Sequence, residues 1–331
     1  MNNLLKKHAK SFYWASFFLS KIVIKKSTIL YNFCRTLDDI ADENNGLKIK
    51  KENFSKFKKD FLDKNFKNPI IREMWLIIDS EKISRKIVLD LFDGVESDLQ
   101  EKVNLKSKKD LLIYSYKVAG TVGLMMSKIL QVKDKEALKG AVDLGIAMQL
   151  TNIARDIGED ARNNRIYIPT DWMKRNGIAV DAFLKNPENF PEVSILVKQL
   201  LNKADYFYKR AGAGYFSLPK ECRPGIFSAG KIYSKIGKHI AASNYDSVSR
   251  RAYTTTFEKF LMLISSIGDS ALTTVMPIPS TIHAAALPEV NFLVNSVKTP
   301  KESKKSFKQR SSKFINLLFD LEQKDRALAG I

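Results

Sequence analysis

The stretch Gln149-Leu150-Thr151-Asn152-Ile153-Ala154-Arg155-Asp156-Ile157-Gly158-Glu159-Asp160 decides the fold. On a helix at about 100° per residue, Gln149, Asn152, Asp156 and Asp160 fall in one sector roughly 80° wide. Leu150, Ile153 and Ile157 flank or oppose that sector, so the helix is expected to be buried on more than one side. Two carboxylates and two amides on the inner stripe of a buried helix are costly to desolvate and call for a partner. Oxygen donors of this kind suit Mg²⁺.

A second stripe answers the first. In Tyr31-Asn32-Phe33-Cys34-Arg35-Thr36-Leu37-Asp38-Asp39-Ile40-Ala41-Asp42, residues Tyr31, Arg35, Asp38 and Asp42 recur at helical spacing and share one face. Two such faces in one helical chain imply two carboxylate walls across a cavity. Like charges facing each other in low dielectric raise one another's pKa. Bridging cations and a polyanionic ligand reverse that, and a diphosphate held through Mg²⁺ is the natural ligand.

Between the stripes, residues 108–130 set Tyr114, Val118, Thr121 and Met125 within about 60° on a helix. Ala119, Gly120 and Gly123 are small enough for backbone or ligand to approach closely. Tyr114 adds a phenol to an apolar wall, and on spacing alone it reads most simply as a core tyrosine. After Asp160, Pro169 cannot extend a helix and biases Ile168 to extended geometry. Arg162, Arg165 and Tyr167 therefore fall on a loop at the mouth of the second stripe. These arginines either complement a diphosphate or neutralise Asp156 and Asp160 directly, and the sequence leaves both readings open.

The rest of the chain reads as helix after helix. Apolar spacing is close to 3.6 through 28–42, 52–64, 69–79, 83–100, 108–130, 134–160, 192–216, 223–249 and 254–268. Asn44-Asn45-Gly46, Asn68-Pro69, Pro187, Pro191 and Leu218-Pro219 punctuate these runs. No alternating β-branched run is long enough for a sheet. The 331 residues, 44% apolar and 27% charged, suit a large soluble core. A net charge of +19 predicts attraction to anionic partners without choosing among membranes, nucleic acid and phosphorylated substrates. Two distant cysteines, Cys34 and Cys222, form neither a disulfide framework nor a zinc pattern, so a reducing cytoplasmic setting is expected. No apolar run reaches transmembrane length. The apolar SFYWASFFLS at 11–20 lacks a small-x-small cleavage site and reads as the lip of the site, not as a leader.

At this point the motifs carry a family resemblance. KSFYWAS at 10–16, YNFCRTLDDIADE at 31–43, YSYKVAGTVGLMM at 114–126 and DLGIAMQLTNIARDIGEDARNNRIYIP at 143–169 resemble the phytoene and squalene synthases, which condense two prenyl diphosphates head to head. A weaker match runs through RAGAGYFSLPKECRPGIFSAGKIY at 210–233 and NYDSVSRRA at 244–252. The VAGTVG and QLTNIARDIGED segments are most similar to bacterial phytoene synthases.

The resemblance implies an all-α, single-domain isoprenoid-synthase fold whose central cavity is lined by two Asp-rich helices. By matching position, Asp38, Asp42, Asp156 and Asp160 would hold Mg²⁺, for which Mn²⁺ could substitute. Arg35, Arg165, Tyr233 and Arg250 would surround the diphosphate oxygens, with Tyr167 beside them on the loop. Gln149 and Asn152 would face the inner site, Ser11 would belong to the entry segment, and Tyr114 would act in proton transfer. Geranylgeranyl diphosphate is the favoured substrate and 15-cis-phytoene the favoured product. Squalene or dehydrosqualene from farnesyl diphosphate is the alternative. No dinucleotide fingerprint is present, though squalene synthases need not use one, and NADPH is not expected if phytoene is the product.

The resemblance covers residues 8–268. Residues 269–331 read as a C-terminal extension that is basic, partly disordered or membrane-associating. Residues 298–313 hold seven Lys or Arg against one Glu, and FINLLFDL occupies 314–321, so peripheral contact with the inner face of a membrane is expected. A non-catalytic assembly role would tolerate eroded acidic motifs, yet all four aspartates are present. A nucleic-acid-binding role would leave the buried carboxylate stripes unexplained.

Overall fold

The Gln149–Asp160 stretch forms the middle of the molecule. The computed structural model describes residues 20–43 and 46–275. Its central helix, Lys135–Arg155, has no exposed residue from Ala137 onward, so it is enclosed on all sides. The chain runs α1 Lys21–Asp42, α2 Leu47–Leu62, α3 Pro69–Ser80, α4 Arg85–Glu96, α5 Lys108–Ser115, α6 Thr121–Ile129, the central α7 Lys135–Arg155, α8 Ile157–Arg162, α9 Thr170–Arg175, α10 Val180–Lys185, α11 Val193–Gly214, α12 Arg223–Ala242 and α13 Thr256–Val275. Helix α7 packs along α11, α6, α12 and α5.

Local chemistry starts and aims these helices. Ser20 caps α1 by accepting from the Val23 amide at 3.1 Å. Ser107 and Asp110 form a reciprocal capping box that starts α5. On α1, Val23, Leu30, Phe33, Leu37 and Ala41 form the buried face. Phe33 lies 5.9, 5.6 and 5.7 Å, ring to ring, from Phe57, Phe61 and Phe92, which locks α1 against α2 and α4. That fixes the adjoining Arg35–Asp38–Asp42 stripe toward the interior. Between α7 and α11, buried Asp143 accepts from Arg210 at 3.0 Å, and Thr151 and Tyr208 share a hydroxyl hydrogen bond of 2.9 Å.

Three departures from the helical reading matter for the site. The first is that residues 108–130 are not one regular helix. Tyr116–Gly120 form a π-helical turn, with the Thr121 amide donating to the Tyr116 carbonyl. A π turn adds a residue to the face and shifts the register of the helix beyond it. Thr121 and Met125, expected on the cavity wall, are instead wholly buried in the core, and Val122 and Met126 take their places beside Tyr114 and Val118.

The second is that the run 134–160 breaks at Asp156, whose φ of −104° and ψ of 13° leave the helical range. The amides of Asp156 and Asp160 still donate four residues back, to Asn152 and Asp156, so the axis resumes as α8. The break admits the segment after α12. The Gly158 amide donates to the Ser247 carbonyl at 3.0 Å, and a Cβ at 158 would stand 2.3 Å from the Val248 carbonyl oxygen. Only glycine fits this approach.

The third lies in the loop after α8. Val103–Asn104 and Arg165–Ile166 pair as two short parallel strands, β1 and β2. Asn164, with φ 57°, turns the chain into β2. Extended geometry then sends Arg165 and Tyr167 to one side and buries Ile166 on the other. Helices α9 and α10 fall where no helix was expected. Helix α12 ends at Ala242 and not at 249, and α13 runs past 268 to Val275. Ser11 and residues 276–331 lie outside the described residues.

Candidate active site

A cavity of about 320 Å³ opens between α1, α4, the α5–α6 segment, α7, α12 and β2. Arg35, Asp38, Asp42, Tyr114, Gln149, Asn152, Asp156, Asp160, Arg165, Tyr167 and Tyr233 all border it. Tyr31 does not, although helical spacing put it on the same stripe as Asp38. Arg250 is exposed and also stands away from the cavity. Its neighbour Arg251 is the one that turns inward. Val118, Val122, Met126, Leu130, Leu144, Met148, Leu218 and Ile226 supply an apolar wall.

The two acidic walls are not electrostatic equals. Asp38 is pushed up to about 8, first by burial and then by the charge of Asp42, with Arg35 opposing. Asp160 is raised well above the ordinary carboxylate range by burial and by Asp156. Burial would also raise Asp156, but two guanidinium groups outweigh it. Arg155 donates from Nε at 2.8 Å and Nη2 at 2.7 Å, and Arg251 donates from Nε at 2.9 Å. Asp156 is consequently held below the usual range. The expectation that facing carboxylates all rise holds for Asp38 and Asp160 and fails for Asp156, because Arg155 and Arg251 reach it.

The loop arginines turn to acids other than Asp156 and Asp160. Arg165 spans the cavity mouth and pairs with Asp42 of the opposite wall at 3.0 Å. Arg162 reaches Glu188 at 3.8 Å, away from the site. Arg35 pairs with Asp39 at 2.6 Å and leaves its buried Nε without a hydrogen-bond partner.

A residue that sequence reasoning missed completes the site. Asp98, just past α4, accepts from the Tyr114 hydroxyl at 3.0 Å and from the Tyr167 hydroxyl at 2.8 Å. The two phenol rings stack with centroids 4.9 Å apart. Asp98 falls near the end of the run read as helix over 83–100, where it is one acid among several in ESDLQEK, and the helix in fact ends at Glu96, so spacing did not single it out. Arg251 was missed because segment 243–255 is irregular, and periodicity cannot choose between adjacent arginines there.

The donor set suits a hard cation. Among the described residues no three acidic, histidine or cysteine side chains form a ready-made cage. Mg²⁺ does not ask for one, since it keeps waters and binds one or two carboxylates plus substrate phosphates. Two features fit such a guest. The Asn152 side-chain oxygen is buried without a hydrogen-bond partner, and Asp38 and Asp160 sit in surroundings that favour the proton until a cation replaces it.

Fold and site together define an all-α isoprenoid-synthase cavity with an acidic mouth and an apolar wall. The squalene/phytoene synthase profile matches residues 5–258. The chain is 38% identical to a phytoene synthase of Cereibacter sphaeroides over 96% of this chain and 92% of the relative. It is 36% identical to a phytoene synthase of Rhodobacter capsulatus over 98% of this chain and 96% of the relative. A crystal structure of a dehydrosqualene synthase in complex with ligand superposes with a TM-score of 0.68 at 28% identity, covering 82% of this chain and 94% of that one. The chain belongs to the squalene/phytoene synthase family.

Proposed function

We propose that the protein is a 15-cis-phytoene synthase of carotenoid biosynthesis. It joins two geranylgeranyl diphosphates head to head through a cyclopropyl diphosphate and releases two diphosphates. The observation that carries this reading is the match between wall and substrate. From Gln149 back to Ala137, both on the cavity, α7 rises roughly 18 Å at about 1.5 Å per residue. An extended chain advances about 1.2 Å per bond, so a geranylgeranyl chain of about 15 bonds spans about 18 Å and a farnesyl chain of about 11 bonds about 13 Å. The longer chain fills the wall. The two bacterial phytoene synthases support the same product. Likeness to the dehydrosqualene synthase supports the farnesyl alternative.

Asp38, Asp42, Asp156 and Asp160 would hold Mg²⁺, or Mn²⁺, together with substrate oxygens. When bound, such a cation neutralises charge that develops on a departing diphosphate. Arg35, with its unpartnered Nε, and Arg165 bind diphosphate oxygens. Arg251 serves where Arg250 was expected, because Arg250 faces solvent. Gln149 and Asn152 face the inner site, Tyr233 belongs with the groups around the diphosphate oxygens, and Tyr114 takes the proton lost as the cyclopropane closes. The apolar wall excludes water, which would trap the carbocations as alcohols. Proton loss ends the reaction, so no nicotinamide is consumed. Geranylgeranyl diphosphate with Mg²⁺ is expected to yield 15-cis-phytoene, and chelation to stop it. Absence of any hydrocarbon would remove the enzymatic reading.

We further infer peripheral contact with the cytoplasmic face of an anionic membrane. No helix of the described residues is long and apolar enough to cross one. Support comes from the net charge of +19, the basic segment 298–313 and the exposed Phe257, Leu261, Ile264 and Leu272 on α13. Binding to anionic liposomes should weaken with salt and with deletion of residues 298–331. Unchanged binding after that deletion would contradict it.

A further inference from the structure

Asp98 has a geometry that the proposed chemistry has not used. Its two carboxylate oxygens divide between two phenols, Oδ2 accepting from Tyr114 at 3.0 Å and Oδ1 from Tyr167 at 2.8 Å. Both tyrosines are only 7% exposed, their rings stack, and both border the cavity, as does Asp98 itself. A phenol has one hydrogen to donate. Each of these directs its hydrogen at Asp98, which leaves oxygen lone pairs for whatever else approaches. A hydrogen bond to a carboxylate also draws the phenol oxygen toward negative charge. Both tyrosines therefore meet a ligand as acceptors. A neutral or amide side chain at 98 would permit the opposite orientation, with the hydroxyl hydrogens turned into the cavity.

We infer that Asp98 is a positioning residue that fixes Tyr114 and Tyr167 as proton acceptors and takes over the Tyr114 hydroxyl proton when Tyr114 deprotonates the substrate cation. The inference rests on the synthase reading above. In the step, a C–H bond of the tertiary carbocation breaks and its electron pair closes the cyclopropane carbon–carbon bond. The proton goes to the Tyr114 oxygen, and the original Tyr114 hydroxyl proton passes to Asp98 Oδ2. No electron is gained or lost overall. The carboxylic acid so formed is reset through Tyr114 by a released diphosphate, itself a base. The surroundings suit the task. Burial first, opposed by the Tyr167 hydroxyl, Arg165 and the Tyr114 hydroxyl and joined by Asp42, pushes Asp98 up to about 6. Burial, together with the same carboxylate, keeps Tyr114 well above the ordinary phenol range, so Tyr114 stays protonated and ready to exchange its hydrogen.

The test compares Asp98→Asn, Asp98→Glu, Tyr114→Phe and the double variant Asp98→Asn/Tyr114→Phe in the full chain. Asp98→Asn is expected to lower kcat about 100-fold with KM within about threefold, the range of a lost proton transfer. Asp98→Glu should recover part of that loss. The double variant should be no slower than Tyr114→Phe alone, because Asp98 acts through Tyr114. A kcat within about threefold of wild type for Asp98→Asn, or losses that multiply in the double variant, would overturn the inference. A second readout needs no turnover. With ¹³Cζ-labelled tyrosine, the resonances assigned through Tyr114→Phe and Tyr167→Phe should move upfield in Asp98→Asn while helical circular dichroism is unchanged, and unmoved resonances would overturn it. An inactive wild type would count against the synthase reading, and the tyrosine resonances would still decide the role of Asp98.

Discussion

Asp38 and Asp156 bear the same carboxyl group on opposite walls of one cavity, yet their surroundings drive their proton affinities apart. Asp156 meets Arg155 and Arg251; Asp38 meets burial and Asp42. An unfolded aspartate titrates near 3.9. Between about pH 4 and 8 the folded, metal-free protein therefore keeps a proton on Asp38 that the unfolded chain has lost. Its contribution makes metal-free stability fall as pH rises across that window and level off above about 8. A cation must displace this proton, so affinity should rise with pH. Mn²⁺ binding in the presence of inorganic diphosphate, measured by calorimetry, is expected to tighten by up to about tenfold per pH unit between 6 and 8 and then plateau. Asp38→Asn should make the slope shallower, with Asp160 carrying the remainder, and a flat profile in the wild type would contradict the assignment. From the sequence the two aspartates looked alike, because helical spacing records which face a residue occupies and not which cation from elsewhere reaches it.

At the scale of elements, the long helices were legible, while the short α9 and α10 and the irregularities within the long ones were not. Spacing put Tyr114 and Val118 on the wall, but the π turn at Tyr116–Gly120 moved the face by one residue, exchanging Thr121 and Met125 for Val122 and Met126. Nothing in YKVAG signals an extra residue per turn; tertiary packing decides it. The break at Asp156 was equally silent, although Gly158, which lets the 243–252 segment approach beside it, is in plain view in the sequence. Gly158→Ala sets a Cβ against the Val248 backbone. Relief requires moving the 243–252 segment, which carries Arg251 off Asp156. Overpacking of this kind costs about 1–3 kcal/mol. Thermal melting should show a clearly lowered Tm for Gly158→Ala, and an unchanged Tm would mean that the close approach does not hold the break.

For the whole molecule, the paired acidic stripes and the apolar periodicity between them were enough to read an all-α fold around one cavity. They also identified most of its polar lining. Side chains supplied from beyond the helix ends, Asp98 after α4 and Arg251 after α12, needed three dimensions. Enclosure of α7 ties the two halves of the site together: one buried helix leads into the cavity-facing carboxylates at one end and carries part of the apolar wall along its length. On the proposed function, the bond would break beside Asp156 and Asp160, and the length of chain accepted would be set toward Ala137. The most direct test presents the full chain with Mg²⁺ and either farnesyl or geranylgeranyl diphosphate, with and without NADPH, and identifies the hydrocarbon formed. The expected product is 15-cis-phytoene from geranylgeranyl diphosphate, in the same amount whether or not NADPH is present. Squalene formed from farnesyl diphosphate only when NADPH is supplied would contradict it.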